Sequence, residues 1–179
     1  MKNLICSLVV LAACAFSPAA DADRQIVLLT GFSPFGEYDR NMSSESILPL
    51  DGTSIRGHVI SVLELPVLWE ESADLIRTAL YDLRPRVVIA SGIDSSLEEM
   101  LIIETAARNR TVSQADQSGS LPPQDGIIIS GGSEQYFSSL PVQDLVNRLE
   151  AARVPAQAGT DAGAYICNWV FYHLMDALP

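Results

Sequence analysis

Short apolar runs alternate with amphipathic segments along most of the chain. Three segments, 25–30, 58–65 and 86–91, have the apolar, branched composition of buried strands. Between the second and third, apolar residues recur at helical spacing over 66–83, and Pro85 ends the pattern. Strands that alternate with helices predict an α/β domain with a mostly parallel or mixed sheet covered on both faces.

The second half of the chain continues this alternation. A stretch rich in Ser, Gln, Asp, Gly and Pro predicts a long surface loop, and no internal repeat or linker divides the domain. The remaining predicted elements are a short helix within 43–50 capped by Ser43 or Ser44, an apolar stretch from 101, the loop over 111–126, a helix capped by Ser139 with Pro141 in its first turn, a strand at 154–158 and a final helix over 165–178.

The first 22 residues have the organisation of an export signal. Lys2 is a positive n-region, residues 4–16 are an apolar h-region, and Ala20-Asp21-Ala22 resembles a small-residue cleavage site. We therefore expect a signal peptide over 1–22, a single domain over 23–179, and a periplasmic or secreted protein. A lipoprotein signal with Cys14 lipidated is the alternative, and the only route to a membrane. A buried N-terminal strand is less favoured, because nothing after it offers a matching turn.

Composition and charge exclude several classes of partner and cofactor. The net charge of −11 argues against nucleic acid and anionic membrane surfaces, because phosphates would be repelled. With two histidines and one cysteine, Cys167, beyond the predicted signal, neither a metal site nor an intramolecular disulfide is expected. The glycine-containing loop 31–36 follows a strand but is neither GxGxxG nor a Walker loop, so no cofactor is expected.

Cys167 lies at the start of the final predicted helix, which is a common place for a nucleophile. The helix dipole favours a thiolate at this end and is expected to lower the pKa of the thiol. A lone cysteine in an apolar helix is more often a buried structural residue. Composition alone favours the structural interpretation.

Four collinear segments resemble the pyroglutamyl-peptidase I family, also called pyrrolidone-carboxylate peptidases. Together they extend from about residue 26 to residue 174 in the order that the family has. The segments are TGFSPFGEYDRNMSS, LPVLWEESADLIRTALYDLRPRVVIASG, YFSSLPVQDLVNRLEAARVPA and DAGAYICNWVFYHL.

The resemblance implies a three-layer α/β/α fold and a cysteine peptidase that removes an N-terminal pyroglutamyl residue from peptides. Cys167 matches the family's nucleophile, and Glu104 in IIETAARN matches the residue that orients its catalytic histidine. Phe32 and Phe35 would line the pocket for the pyrrolidone ring, and Tyr165 would stack on its other face. The family is typically cytosolic and commonly forms homo-oligomers. Apart from the resemblance, the aromatics are interpreted as core residues and Glu104 as a polar residue satisfied by a nearby arginine.

The chain departs from the family at its catalytic base. The family's histidine lies on a strand in a GFIHVPY-like motif beyond the cysteine, so this chain is expected to lack that strand and the helix after it. His173 follows Cys167 by six positions, about 600° or 240° around a helix, so the two face apart. An arginine of the family is also missing, and Glu98 and Glu99 lie in its region. The alternative function is an inactive exported relative that binds pyroglutamyl-type ligands, or a vestigial fragment.

Overall fold

The structure, a computed structural model, describes residues 7–14, 25–94, 100–123 and 125–178. For residues 7–14 it describes the backbone. The described elements are, in chain order, β1 (Ser7–Cys14), β2 (Ile26–Phe32), α1 (Met42–Glu45), a 3₁₀ turn (Leu48–Leu50), β3 (Ser54–Ile55), β4 (His58–Leu65), α2 (Trp69–Leu83), β5 (Val87–Asp94), β6 (Leu101–Glu104), β7 (Ala106–Arg108), β8 (Gln135–Phe137), α3 (Val142–Ala151), β9 (Ala156–Gly159) and α4 (Ile166–Asp176).

Seven of these strands form one mixed sheet in the order β3-β4-β2-β5-β1-β6-β9. The strands β4, β2 and β5 are mutually parallel, while β1 runs antiparallel to β5 and parallel to β6. A separate antiparallel pair, β7 and β8, lies outside the main sheet. The mixed α/β fold expected from the alternating pattern is confirmed.

The helices cover the sheet on both faces. Helices α2 and α4 contribute to the main core with alternate residues of the central strands, including Leu28, Val88 and Ala90. Helix α3 packs on the opposite face, where Val142 and Val146 meet Ile103 of β6. The main core draws on β2, β4 and β5, and the smaller core under α3 draws on β6 and β9.

Two predicted helix caps are wrong. The short helix α1 is capped by Asn41, whose Oδ1 accepts from Ser43 N at 3.0 Å, and not by Ser43 or Ser44. The Ser43 hydroxyl instead accepts from Phe32 N at 2.9 Å, which ties the helix to β2. Helix α3 begins after Pro141 with no side-chain cap, so Ser139 does not cap it. Local sequence offered several short polar residues, and tertiary contacts decided among them.

Residues Ser7–Cys14 lie in the middle of the sheet, within the segment predicted as an export signal. All eight pair with β5, and Leu8–Leu11 also pair with β6. The less favoured alternative, an N-terminal strand, is therefore the conformation that the structure has for these eight residues. Export and cleavage stay predictions. Within the described ranges, no helix is both long and apolar enough to cross a membrane.

Candidate active site

An apolar pocket opens where β2 and β5 end and α4 begins. Its walls include the three aromatic residues predicted for substrate binding, together with Cys167. The lining residues are Phe32, Phe35, Asn41, Val67, Ile93, Tyr165, Ile166 and Cys167. The structure therefore brings together four of the five predicted site residues.

Cys167 is the second residue of α4 and is half-buried. Its sulfur lies directly against the backbone of β5, since a Cβ built on Gly92 would be 2.6 Å from Sγ and 3.5 Å from Cε2 of Phe32. Only a glycine fits between the strand and the thiol at this distance. Gly92 thus places the thiol at the end of β5, against one wall of the pocket.

The pKa of the thiol is shifted in the direction opposite to the one expected from the helix dipole. Burial, followed by the charge of Asp94, raises the pKa of Cys167 from 9.0 to about 12. Hydrogen bonds from the backbone N–H groups of Ile93 and of Cys167 itself act the other way but are smaller. Desolvation outweighs the dipole here, so the thiol is protonated at neutral pH and needs a base to react.

Glu104 lies at the end of β6, buried on the same face of the sheet as Gly92. Its Oε2 accepts a hydrogen bond from Asp161 N at 2.7 Å, and a Cβ on Gly159 would overlap the carboxylate of Glu104. Burial, together with the charges of Asp161 and Asp94, raises the pKa of this carboxyl against the opposing effect of the Asp161 hydrogen bond. The side chain of Glu104 was expected to be satisfied by Arg108 or Arg110, but its hydrogen-bond donor is the Asp161 amide.

Glu104 lies on β6, whereas the Cys167 thiol of α4 lies against Gly92 of β5. In the β1 register, Gly92 is opposite Val9 and Glu104 is opposite Leu11. Because β1 lies between β5 and β6, the axes of these two strands are two strand spacings, about 10 Å, apart. The carboxylate and the thiol face the same side of the sheet with a strand between them.

Neither histidine of the chain lines this pocket. His58 begins β4, and its Nδ1 lies 3.3 Å from the Arg56 carbonyl oxygen. His173 is buried between α4 and α2, where its Nδ1 accepts from the Arg77 guanidinium at 3.1 Å and its ring meets Trp169 edge-on. Burial, followed by the charge of Arg77, lowers the pKa of His173 to about 4. His173 is a neutral packing residue.

The loop predicted over 111–126 is fixed to the start of α2 and to one wall of the pocket. The buried Asp116 accepts from Trp69 N at the start of α2 and, through its other oxygen, from Ser118 and Ser120. Burial alone would raise the pKa of Asp116, but these hydrogen bonds lower it. The neighbouring Ala115 carbonyl accepts from the Tyr165 hydroxyl at 3.0 Å. The loop is thus fixed to both α2 and the aromatic wall.

Sequence reasoning missed two asparagines that build the site. Asn168 is fully buried and joins α4 to β7, accepting from Arg108 N and donating to the carbonyls of Arg108 and Arg110. Asn41 lines the pocket while its side chain donates to the Ser33 carbonyl. Both lie in segments that resemble the family, and this position is the sequence feature from which their role could have been predicted.

A metal-binding cluster is not found among the residues that the structure describes, where no three His, Cys, Asp or Glu side chains lie together. Glu98 and Glu99, noted for their acidity, lie outside the described residues. The site as described offers a thiol, a mostly apolar pocket and backbone amides. That set is suited to holding a small flat ring beside a sulfur nucleophile.

Comparisons with known proteins find relatives that cover most of the chain. The sequence profile of the family described as pyroglutamyl peptidase matches residues 25–179. Pyrrolidone-carboxylate peptidase 1 of Ralstonia nicotianae is 41% identical over 152 residues, which are 85% of this chain and 70% of that protein. The pyrrolidone-carboxylate peptidase of Klebsiella pneumoniae is 37% identical over 157 residues, with 85% of this chain and 71% of that protein covered.

Solved structures show the same fold. The crystal structure of Bacillus amyloliquefaciens pyroglutamyl peptidase I matches with a TM-score of 0.71 at 27% identity, covering 86% of this chain and 74% of that one. A pyrrolidone carboxyl peptidase from Pyrococcus furiosus, the E192V mutant, matches with a TM-score of 0.71 at 25% identity, covering 84% of this chain and 72% of that one. The chain therefore belongs to the pyroglutamyl peptidase family, as its four collinear segments predicted.

Proposed function

We propose that this chain is a cysteine peptidase that removes an N-terminal pyroglutamyl residue from peptides, with Cys167 as its nucleophile. One observation carries the proposal: the Cys167 thiol lies in a pocket walled by Phe32, Phe35 and Tyr165. A pyrrolidone ring is small, flat and uncharged, and aromatic walls suit such a ring. A free amino terminus, which is charged, would be disfavoured in the same apolar pocket.

In the proposed reaction, the Cys167 sulfur attacks the carbonyl carbon that joins the pyroglutamyl residue to the rest of the peptide. A thioester forms, the C–N bond breaks, and the thiol proton passes to the leaving amine. Water then hydrolyses the thioester, which releases pyroglutamate and restores the thiol. The amides of Ile93 and Cys167, which already face the sulfur, favour the thiolate in this scheme.

Proton transfer limits the proposed reaction. The two histidines lie away from the pocket, and the pKa of the thiol is raised to about 12. In the proposal Glu104 is the residue that would orient a base, and neither His58 nor His173 lines the pocket to serve as that base. We therefore expect kcat/KM to rise about tenfold per pH unit above neutral, as solvent hydroxide generates the thiolate.

The test is release of a fluorophore from a pyroglutamyl amide by the purified chain, measured from pH 6 to pH 10. The prolyl amide, which has the ring without its carbonyl, is the matched control substrate, and Cys167→Ala is the control variant. We expect release that needs the lactam and disappears in the variant. Equal release in Cys167→Ala, or equal use of the prolyl amide, would refute the proposal.

The raised thiol pKa favours a second candidate, a relative that binds pyroglutamyl-type ligands without cleaving them. Such a protein would bind the ligand in the same pocket and would not need proton transfer. It predicts that pyroglutamate amide slows alkylation of Cys167 by iodoacetamide, while no fluorophore is released at any pH. Release at any pH in the parent chain that Cys167→Ala abolishes would exclude it.

We also propose that the chain is exported, on the strength of its positive n-region, apolar h-region and small residues up to Ala22. Lipidation at Cys14 and assembly into a homo-oligomer are further proposals that rest on the sequence pattern and on the family. Cell fractionation with N-terminal sequencing tests export, because a mature protein beginning at Asp23 is expected. Recovery of the uncleaved chain from the cytoplasm would contradict it.

A further inference from the structure

The last residue of β5, Asp94, lies beside the candidate nucleophile. Side chains two apart on a strand point to the same face, so Asp94 shares the face on which the Cys167 sulfur lies against Gly92, about 7 Å along the strand. Between these two positions, the backbone N–H of Ile93 donates to the sulfur. The charge of Asp94 accordingly contributes, after burial, to the raised pKa of Cys167.

The ring pocket and Asp94 lie on different sides of the thiol. The pocket draws its walls from the ends of β2 and β4, whereas β6 lies on the other side of β5 in the sheet order. Asp94 is not among the described residues that line the pocket. Its charge instead reaches Glu104 at the end of β6, where it follows burial and the charge of Asp161 in raising the pKa of that carboxyl. Asp94 therefore acts on the side of the thiol that faces β6.

This arrangement determines which part of a substrate meets Asp94. In the proposed reaction the pyrrolidone ring fills the pocket, and the Cys167 sulfur attacks the carbonyl carbon attached to that ring. The peptide continues from this carbon in the direction away from the ring. The residue that follows the pyroglutamyl group thus leaves the pocket past the thiol and passes beside Asp94.

Two arginines follow Glu104 in the chain, and their contacts are with the turn at 160–161. Arg110 pairs with Asp161 at 2.5 Å, and Arg108 donates to the Thr160 carbonyl at 3.2 Å. The Arg110–Asp161 pair adds no net charge to this side of the site. The net charge of −11 for the whole chain acts in the same direction as Asp94, because both attract cations.

We propose that Asp94 selects peptides in which a lysine or an arginine follows the pyroglutamyl residue. This inference rests on the proposed function, because the ring must fill the pocket for the next residue to reach Asp94. The carboxylate attracts a cationic side chain and repels an acidic one. Since Asp94 is half-buried, we expect a preference of about 3-fold over a neutral residue, which is in the range of a partly screened ion pair.

The first test measures the charge beside the thiol and needs no peptidase activity. The full chain is treated at pH 9 with two methanethiosulfonates of similar size, one with an ammonium group and one with a sulfonate. Peptide mass spectrometry follows the modification of Cys167. The ratio of the two rates within one protein cancels the thiolate fraction, because both reagents react with the same thiolate. We expect the cationic reagent to react at least ~10-fold faster, since the two reagents differ by two charges.

Two variants separate Asp94 from the net charge of the chain. Asp94→Asn removes the charge beside the thiol, whereas Asp82→Asn removes one from an exposed position near the end of α2, which leads into the opposite end of β5. We expect the rate ratio to fall about 10-fold in Asp94→Asn and to keep the parent's value in Asp82→Asn. Equal ratios in all three proteins, a parent ratio near one, or no modification of Cys167 by either reagent would overturn the proposal. Asp94→Ser takes the place of Asp94→Asn if that variant fails to fold.

The second test compares three substrates, the pyroglutamyl dipeptide amides of lysine, norleucine and glutamate. Norleucine is nearly as long as lysine and carries no charge. We expect kcat/KM to fall by about 3-fold from lysine to norleucine and again to glutamate, in the parent and in Asp82→Asn, and to differ little among the substrates in Asp94→Asn. The same order and size in Asp94→Asn as in the parent would overturn the proposal. Absence of cleavage in every protein would overturn the proposed function and the substrate preference with it, while the thiosulfonate ratio would still show whether Asp94 sets the charge beside the thiol.

Discussion

The contact between Gly92 and the Cys167 sulfur gives the sharpest prediction about the site. A Cβ at position 92 would lie 2.6 Å from Sγ, well inside the ~3.5–4.0 Å at which such atoms attract. The thiol must therefore move by about 1 Å, either by rotating or by shifting the start of α4. We expect Gly92→Ala to lower the free energy of unfolding by ~1–3 kcal/mol, as overpacking of a core does.

The effect of Gly92→Ala on the free energy of unfolding should change sign when the sulfur is removed. In a Cys167→Ala background, the new Cβ meets Phe32 Cε2 at 3.5 Å and the Cβ of residue 167 at 3.8 Å, which are ordinary contacts. Replacing glycine then restricts the unfolded chain and stabilises the fold by ~0.4–1 kcal/mol. The two backgrounds together form a double-mutant cycle that isolates the contact.

Urea unfolding followed by circular dichroism measures all four proteins of this cycle. We expect destabilisation by Gly92→Ala in the parent and none in the Cys167→Ala background. An equal loss in both backgrounds would show that the sulfur does not lie against position 92. No loss in the parent would lead to the same conclusion.

Three further predictions concern the thiol, the buried histidine and the loop. Because the pKa of Cys167 is raised to about 12, the rate of its alkylation by iodoacetamide should increase up to pH 10 without a plateau. A plateau near neutral pH would show that burial does not raise the pKa of the thiol. Because the pKa of His173 is lowered to about 4 from 6.5, its neutral form contributes stability above pH 6.5 that is lost as pH falls towards 4, on the order of 3 kcal/mol. Urea midpoints of the parent should fall across that window more than those of His173→Gln, and parallel curves would refute this. Asp116→Ala should lower the free energy of unfolding by ~1–2 kcal/mol, because the Trp69 amide at the start of α2 loses its acceptor, and should weaken binding of pyroglutamate amide. Asp116→Asn should retain part of the stability and part of the affinity. Equal Tm and affinity in the parent and both variants would contradict this prediction.

The elements with a strong pattern could be predicted from the sequence. The helix expected over 66–83 is Trp69–Leu83, and the strand expected over 58–65 is His58–Leu65. Both have long periodic or branched runs with a clear end, and such runs fold in the same way in many contexts. The pocket residues Phe32, Phe35 and Tyr165 were found through the resemblance, since core aromatics have the same local pattern.

Other features depend on contacts that no local pattern contains. An apolar stretch such as Ser7–Cys14 is equally suited to a signal h-region and to a central strand, and only pairing with β5 and β6 distinguishes them. The direction of the Cys167 pKa shift likewise follows from burial beside Asp94, while the sequence showed only the helix start. The close approach at Gly92 is likewise set by Cys167, which is distant in sequence.

Covalent labelling of Cys167 tests the central claim most directly, because it reports the nucleophile and the pocket together. The full chain is incubated at pH 9 with the chloromethyl ketone of pyroglutamate or of proline, and the adducts are located by peptide mass spectrometry. We predict labelling at Cys167 that is at least ~10-fold faster with the pyroglutamyl reagent, since the prolyl reagent has a ring amine in place of the lactam and lacks the ring carbonyl. Equal rates for the two reagents, or an adduct at another residue, would contradict the account.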